Sequence, residues 1–533
     1  MRIKILFLSI IFSAVCIITL QAQFSEQSLK FGEVFEKISN YYVDTINKEK
    51  LVEEVIIKML HDLDPHSSYL SKDEVRAMQE PLDGNFEGIG VSFNIMKDTI
   101  YIISTIAGGP SEKVGIIAGD RIIKIDGINE AGVGIKNTDV QKKLKGKKGT
   151  KVVVTVLRKN VPGLIDFTIT RDEIPIYSID AAYMVDHKTG YIKLSRFSMT
   201  SMTEFYKAIS KLKDMGLQNL ILDLTGNGGG YLRIAAELAD QFIPGKSLLV
   251  YTEGAKNPRH NYYSSDRGEF ERGKLIVMID EGSASASEIV AGALQDLDRA
   301  VIVGRRSFGK GLVQQPFNLM DGSLVRLTVA KYYTPTGRLI QNPYDKGFDE
   351  YAREAADRYM KPQYSDSTGS AFPDSLKYRT LNKNRIVYGG GGITPDYFVP
   401  FDTAFYSPYY RGLISKGILN QFVLNYEDKN RTELTNRYKK FSEYKNSFKV
   451  SGEMIDDLIE YAEAEGLAFK KDDFKKSESM IRLLFKAYLA RNIWESTEFF
   501  QIYNETDPIF NRAIEILTES PLYDRKLEAY TGE

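Results

Sequence analysis

The sequence predicts a multidomain α/β protein: an α/β core with parallel-strand neighbours, a β-rich module inserted ahead of it, and helical regions at both ends. Three observations lead there. Between about 173 and 340, buried apolar runs alternate with helical patterns, as at Leu220-Ile221-Leu222-Asp223-Leu224, Leu275-Ile276-Val277-Met278-Ile279 and Val301-Ile302-Val303. From 85 to 172, short runs such as Ile100-Tyr101-Ile102-Ile103 and Arg121-Ile122-Ile123-Lys124-Ile125 lie between Gly-rich turns. From 25 to 80, and again after 401, apolar residues recur at helical spacing, as in Val34, Phe35, Ile38 and Tyr42, or Ile455, Leu458, Ile459 and Ala462.

Length and charge agree with this plan. The chain has 533 residues, 43% of them hydrophobic and 26% charged, enough for three or four domains. Lys+Arg numbers 70 and Asp+Glu 71, a balance that argues against nucleic-acid binding by bulk positive charge. Arg2 and Lys4 precede an apolar run ending near Gln21-Ala22, which predicts a signal peptide over 1–22, with an uncleaved membrane-anchor helix as the alternative. Cys16 is the one cysteine, so cleavage after Ala22 leaves no disulfide, thiol nucleophile or Cys-type metal site. The expected domains are a helical region at 23–84, the β-rich module at 85–172, the α/β core at 173–400 and a helical region at 401–533. Residues 343–388 are polar and Tyr-rich and read as an insertion in the core.

Where chemistry could sit is a matter of three turns. Gly282-Ser283-Ala284-Ser285-Ala286-Ser287-Glu288 follows a strand and opens a helix. Small residues there permit a sharp turn, and the free N–H groups of the helix start favour developing negative charge. The plain alternative is a Ser N-cap. Phe308-Gly309-Lys310-Gly311-Leu312 places a lysine between glycines. Burial that lowers its pKa toward 7–8 makes such a lysine a usable base, and Gln314 lies four residues on. The plain alternative is a surface lysine in a glycine loop. Thr225-Gly226-Asn227-Gly228-Gly229-Gly230 follows a buried strand and bares backbone amides. It reads equally as a turn that needs positive φ.

The four histidines, His61, His66, His187 and His260, do not flank the serine turn, so a Ser-His-Asp arrangement is not expected. They read as structural or surface residues, and no metal or cofactor is expected. Gly304 to Gly311 nearly spells a nucleotide-binding loop, but Gly311 stands where Ser or Thr is needed. Ser307-Phe308-Gly309-Lys310 and Lys188-Thr189-Gly190 occur in the wrong order for penicillin-recognising enzymes.

Together these segments resemble the C-terminal processing (tail-specific) serine proteases. The likeness rests on 283–296, Lys310 with Gln314, 223–230, Tyr332-Tyr333-Thr334-Pro335-Thr336-Gly337-Arg338, Gly392-Ile393-Thr394-Pro395-Asp396 and Leu63-Asp64-Pro65-His66-Ser67. It covers about 30–400, and 85–172 is similar to that family's PDZ domain. The resemblance implies a serine endopeptidase with Ser285 as nucleophile, Lys310 as base and Gln314 in support. It implies oxyanion donors at the amides of Ala286 and Gly230. The family often has Arg-Asn-Asn-Pro-Gly-Gly where this chain has Thr225 to Gly230, a departure that bears on how the oxyanion turn is held.

Gly88, Ile89, Gly90 and Val91 are expected to hold a substrate's C-terminal carboxylate while the peptide adds as a strand. The expected partners are proteins with unstructured, apolar C-termini, with an adaptor protein and a homo-oligomer left open. The expected location is the periplasm or cell envelope. Two rival readings stand beside this one: a catalytically inactive peptide-binding scaffold, and a retinoid- or lipid-carrying relative of the core.

Overall fold

The computed structural model describes residues 25–159, 161–360, 373–519 and 521–528. The expected signal segment lies outside them. A six-stranded sheet forms the centre, in the order Ile179–Met184, Thr189–Leu194, Asn219–Asp223, Lys274–Ile279, Val301–Gly304 and Tyr397–Phe398. The first pair is an antiparallel hairpin and every later pairing is parallel.

Alternation along each strand decides which layer a residue joins. Leu220, Leu222, Leu275, Val277, Ile279 and Ile302 pack with the helices Ser201–Asp214, Leu232–Asp240 and Ala286–Asp296. Their neighbours Ile221, Ile276, Met278, Val301 and Val303 point to the opposite face. There they meet Ile509, Phe510, Ala513 and Ile516 of the helix Pro508–Thr518. The chain's last helices therefore form the second helical layer of the core, which the continuous apolar strands require. Helices between Pro408 and Tyr503 build a separate core around Leu419, Val423, Leu458, Ile481 and Phe485.

A second sheet lies beside the first. Leu324–Tyr333 pairs with Leu312–Asn318, Leu248–Gly254 and the short strand Ser68–Leu70. That short strand brings the N-terminal helical region against the core. Residues 64–67 are fixed by Asp64, which accepts from the N–H groups of His66 and Ser67, both at 2.8 Å, and from Ser67 Oγ at 2.6 Å.

The β-rich module is an antiparallel sheet in the order Val91–Met96, Thr99–Thr105, Arg121–Ile125, Lys151–Leu157 and Leu164–Thr170. Its entry and exit strands, Asn85–Gly88 and Asp172–Pro175, pair with each other. Within 343–388, the described portion holds the helix Phe348–Met360 and a hairpin of Lys377–Arg379 with Ile386–Tyr388. Arg385 ties that hairpin to the core through Asp298 at 2.6 Å and Asp396 at 2.7 Å.

Candidate active site

Ser285 closes the turn between the strand Lys274–Ile279 and the helix Ala286–Asp296. Its backbone sits at φ 56°, ψ −110°, a conformation that costs a non-glycine residue about 1–3 kcal/mol. The three serines of the run have different surroundings. Ser283 is fully buried and donates to Leu224 O at 2.8 Å. Ser287 is fully buried and donates to Asn227 O at 2.8 Å. Only Ser285 is partly exposed, so a substrate can reach its hydroxyl alone.

Lys310 stands in a loop anchored to that turn. Phe308 N–H donates to Ser283 O at 3.0 Å. Glu288, fully buried one turn into the helix, gathers both segments. Its Oε2 accepts from Ser285 N–H at 2.8 Å and Lys310 N–H at 2.9 Å, and its Oε1 from Gly309 N–H at 2.7 Å and Ser307 Oγ at 2.5 Å. Tyr332 Oη adds a clamp, 2.6 Å from Lys310 O and 3.1 Å from Ser285 O. Gly309 has φ +92°, and a Cβ there would lie 3.0 Å from the backbone of Gly391 and Gly392. The loop can approach this closely only because that residue is glycine.

The Lys310 ammonium donates to Gln314 Oε1 at 2.8 Å. Gln314 Nε2 in turn donates to the carbonyl of His66, so the 64–67 segment fixes the amide's orientation. Burial, with the Arg326 guanidinium adding to it, brings the Lys310 pKa down to about 8. At pH 7 roughly a tenth of such amines are neutral, against about one in a few thousand for an ordinary lysine. Burial pushes Glu288 up to about 7 against four donors that pull it down. His66 is lowered to about 4 by burial and by Lys310, and its Nε2 lies 3.0 Å from Tyr351 Oη.

The glycine turn faces Ser285 from the neighbouring strand. A Cβ on Gly229 would lie 2.9 Å from Ser285 Cβ and 3.0 Å from Ala286 N. Gly230 has φ +148° and its Cβ position falls 2.1 Å from Phe197 O, so only glycine fits. Phe197 N–H donates to Gly229 O and Tyr231 N–H to Phe197 O, at 3.0 and 2.9 Å. The Gly230 N–H donates to no described acceptor. Ala286, the first residue of its helix, has no intrahelical acceptor for its N–H. Two amides on neighbouring turns thus remain to bind an anion.

In the β-rich module, Gly88 ends the entry strand, and Ile89 and Gly90 lead into Val91–Met96. That strand is at the edge of its sheet. The N–H groups of Ile89 and Gly90 donate to no described acceptor, while Ile89 O is held by Ser111 N–H and Oγ, at 3.1 and 2.7 Å. Val140 and Leu144 of the helix Asn137–Leu144 pack with Val91 and Phe93. Among the described residues no cluster of acidic and histidine side chains is placed to hold a metal ion. No described helix is long and apolar enough to cross a membrane.

Ser285, Lys310, Gln314, Ala286 and the glycine turn are all expected from the sequence, whereas Glu288, Tyr332 and the His66 carbonyl enter the site only through the structure. Glu288 carried one legible signal: it is three residues from Ser285, the spacing of a carboxylate that reaches back to an N-cap amide.

A strained serine at a strand-to-helix turn, a desolvated lysine on the loop tied to that turn, and free backbone amides are parts that a serine-type peptidase can use. Residues 188–348 match peptidase family S41, 88–169 match the PDZ domain, and 409–495 match a family of unknown function. The chain is 38% identical over 321 residues to a carboxy-terminal-processing protease of Bartonella bacilliformis, covering 59% of this chain and 73% of that one. It is 36% identical to the carboxy-terminal processing protease CtpB of Bacillus subtilis, covering 58% and 65%. A solved photosystem II D1 C-terminal processing protease is 28% identical, covering 60% of this chain and 91% of that one, with a TM-score of 0.34. The chain belongs to the S41 family of carboxy-terminal processing serine proteases.

Proposed function

We propose that this protein is an exported endopeptidase that cleaves proteins selected by their C-terminal tails, with a Ser285–Lys310 dyad. The neutral Lys310 amine takes the proton of Ser285 Oγ as that oxygen attacks the scissile carbonyl. The N–H groups of Ala286 and Gly230 bind the oxyanion. The resulting Lys310 ammonium returns its proton to the leaving amine, and water then releases the acyl group by the reverse sequence. Gln314 holds the lysine's head in place. The observation that carries this reading is the half-buried Lys310, its pKa near 8, on a loop bound through Glu288 and Tyr332 to the strained Ser285 turn.

The PDZ module supplies the tail selection. The amides at Ile89 and Gly90 receive the terminal carboxylate, Gly88 and Val91 frame them, and the substrate extends along the free edge of Val91–Met96. Its last apolar side chain enters the groove against Val140 and Leu144. The basic and apolar start of the sequence directs export to the periplasm or cell envelope.

The test is cleavage of an unstructured protein ending in apolar residues by the wild type, Ser285→Ala and Lys310→Ala. Both variants are expected to be inactive, and amidating the substrate's C-terminus is expected to weaken cleavage by the wild type. Retained proteolysis by Ser285→Ala sinks the dyad. Unchanged cleavage of the amidated substrate sinks tail selection. Peptide binding without cleavage by the wild type favours the scaffold reading.

A further inference from the structure

The turn that carries Gly230 cannot hold its own shape. Four of its six residues, Gly226, Gly228, Gly229 and Gly230, have no side chain. Three of these have positive φ, at +66°, +102° and +148°. Glycine loses the most conformational freedom on ordering, so rigidity has to be supplied by neighbours. Several anchors act within the turn: Gly226 N–H donates to Asp280 Oδ1 at 2.7 Å, Asn227 Nδ2 to Leu194 O at 2.9 Å and Gly229 N–H to Asn227 Oδ1 at 2.9 Å, while Asn227 O accepts from Ser287 Oγ at 2.8 Å and Gly229 O from Phe197 N–H at 3.0 Å.

A further anchor is at its base. Lys193, on the adjacent strand and in register with Asp223, is buried. Its ammonium donates to Asp223 Oδ1 at 3.0 Å, Thr225 O at 2.5 Å and Thr225 Oγ1 at 2.7 Å. All three of its protons are used on the two residues from which the turn departs. Asp223 Oδ1 also accepts from Thr225 N–H and Oγ1, at 2.8 and 2.7 Å, and its Oδ2 from Tyr191 Oη at 2.6 Å. Residue 225 is itself a threonine with no charge of its own.

We infer that Lys193 is a positioning residue of the oxyanion turn, supplying from the neighbouring strand the cation that residue 225 does not. It touches neither substrate nor reacting atoms. It acts by fixing where Gly230 N–H stands relative to Ser285. The inference rests on the reading that Gly230 and Ala286 bind the oxyanion. A donor displaced by about 1 Å costs on the order of 100-fold in rate.

The experiment compares the full chain with Lys193→Met, Lys193→Arg and Lys193→Met/Thr225→Arg, well below each protein's melting temperature. The readouts are kcat and KM on an unstructured protein and the affinity of a peptide boronic acid, whose tetrahedral oxygen occupies the oxyanion site. Lys193→Met is expected to lower kcat about 100-fold with KM within twofold, and to weaken boronate binding by a similar factor. Thr225→Arg in that background is expected to recover at least tenfold of the lost kcat, and Lys193→Arg to retain most of it.

Unchanged kcat in Lys193→Met overturns the inference, as does loss without weaker boronate binding or without recovery by Thr225→Arg. Should Lys193→Met fail to fold, Thr225→Val serves, since it removes one acceptor and keeps the ion pair. It is expected to lower kcat about tenfold at constant KM, and no change overturns the inference. Ser285→Ala, run alongside, separates the two levels. If that variant still cleaves, the underlying active-site reading fails. If it is dead and Lys193→Met is fully active, only the role of Lys193 fails.

Discussion

Two buried carboxylates hold the segments around Ser285, and they are built differently. Glu288 holds the lysine side of the site using neutral donors only: three backbone N–H groups and the Ser307 hydroxyl. Asp223 holds the base of the oxyanion turn with a cation, Lys193, beside it. Burial without a cation pushes Glu288 up to about 7. The lysine side is therefore sensitive to pH in the working range, whereas the side of the glycine turn rests on an ion pair. One site thus combines a half held by neutral donors and a half held by a cation.

The largest effect is expected where both halves act on one atom. Ser285→Ala or Lys310→Ala should cost about 10⁴-fold or more in kcat while both carboxylate clusters stay intact. Steady-state assays with a melting curve for each variant check this. Next comes Glu288→Gln, which in either amide orientation puts an N–H against at least one backbone N–H donor. A loss of about 100-fold in kcat is expected.

The comparison sharpens with pH. Lys310 must be neutral to act as base, so the rate rises with pH through about 8. Glu288 must be ionised to accept its four donors, so the rate also rises through about 7. A plot of log kcat against pH should have a slope near one between these values and steepen toward two below 7. Arg326→Gln removes a positive neighbour of Lys310 and should move the upper inflection to higher pH, leaving the lower one in place. The smallest effect belongs to the half held by Lys193: Tyr191→Phe removes one of Asp223's donors but keeps Lys193, and less than tenfold loss of kcat is expected.

What the sequence disclosed, and what it did not, follows the range of the interactions. Ser285, Lys310, Gln314 and the glycine turn were legible because their chemistry shows in local composition: small residues at a turn, a lysine between glycines, bare amides after a strand. The alternating core was legible because 220–224 and 275–279 are apolar on both faces. What covers the second face was not. Phe510 meets Tyr191 at 5.5 Å between ring centroids, yet more than three hundred residues separate them, and 401–533 read only as a helical region. The strand Ser68–Leu70 is too short to signal itself and exists through its pairing with Leu324–Tyr333. Lys193 had no motif at all. Its role emerges only when parallel pairing sets it beside Asp223.

Activation of Ser285 by a neutral Lys310 is best tested by labelling with a fluorophosphonate, followed by peptide mass mapping across a pH series. The adduct should map to Ser285, form with a rate that rises through a midpoint near pH 8, and be absent in Lys310→Ala. An adduct on another serine, or labelling of Ser285 that persists at the same rate in Lys310→Ala, would contradict it.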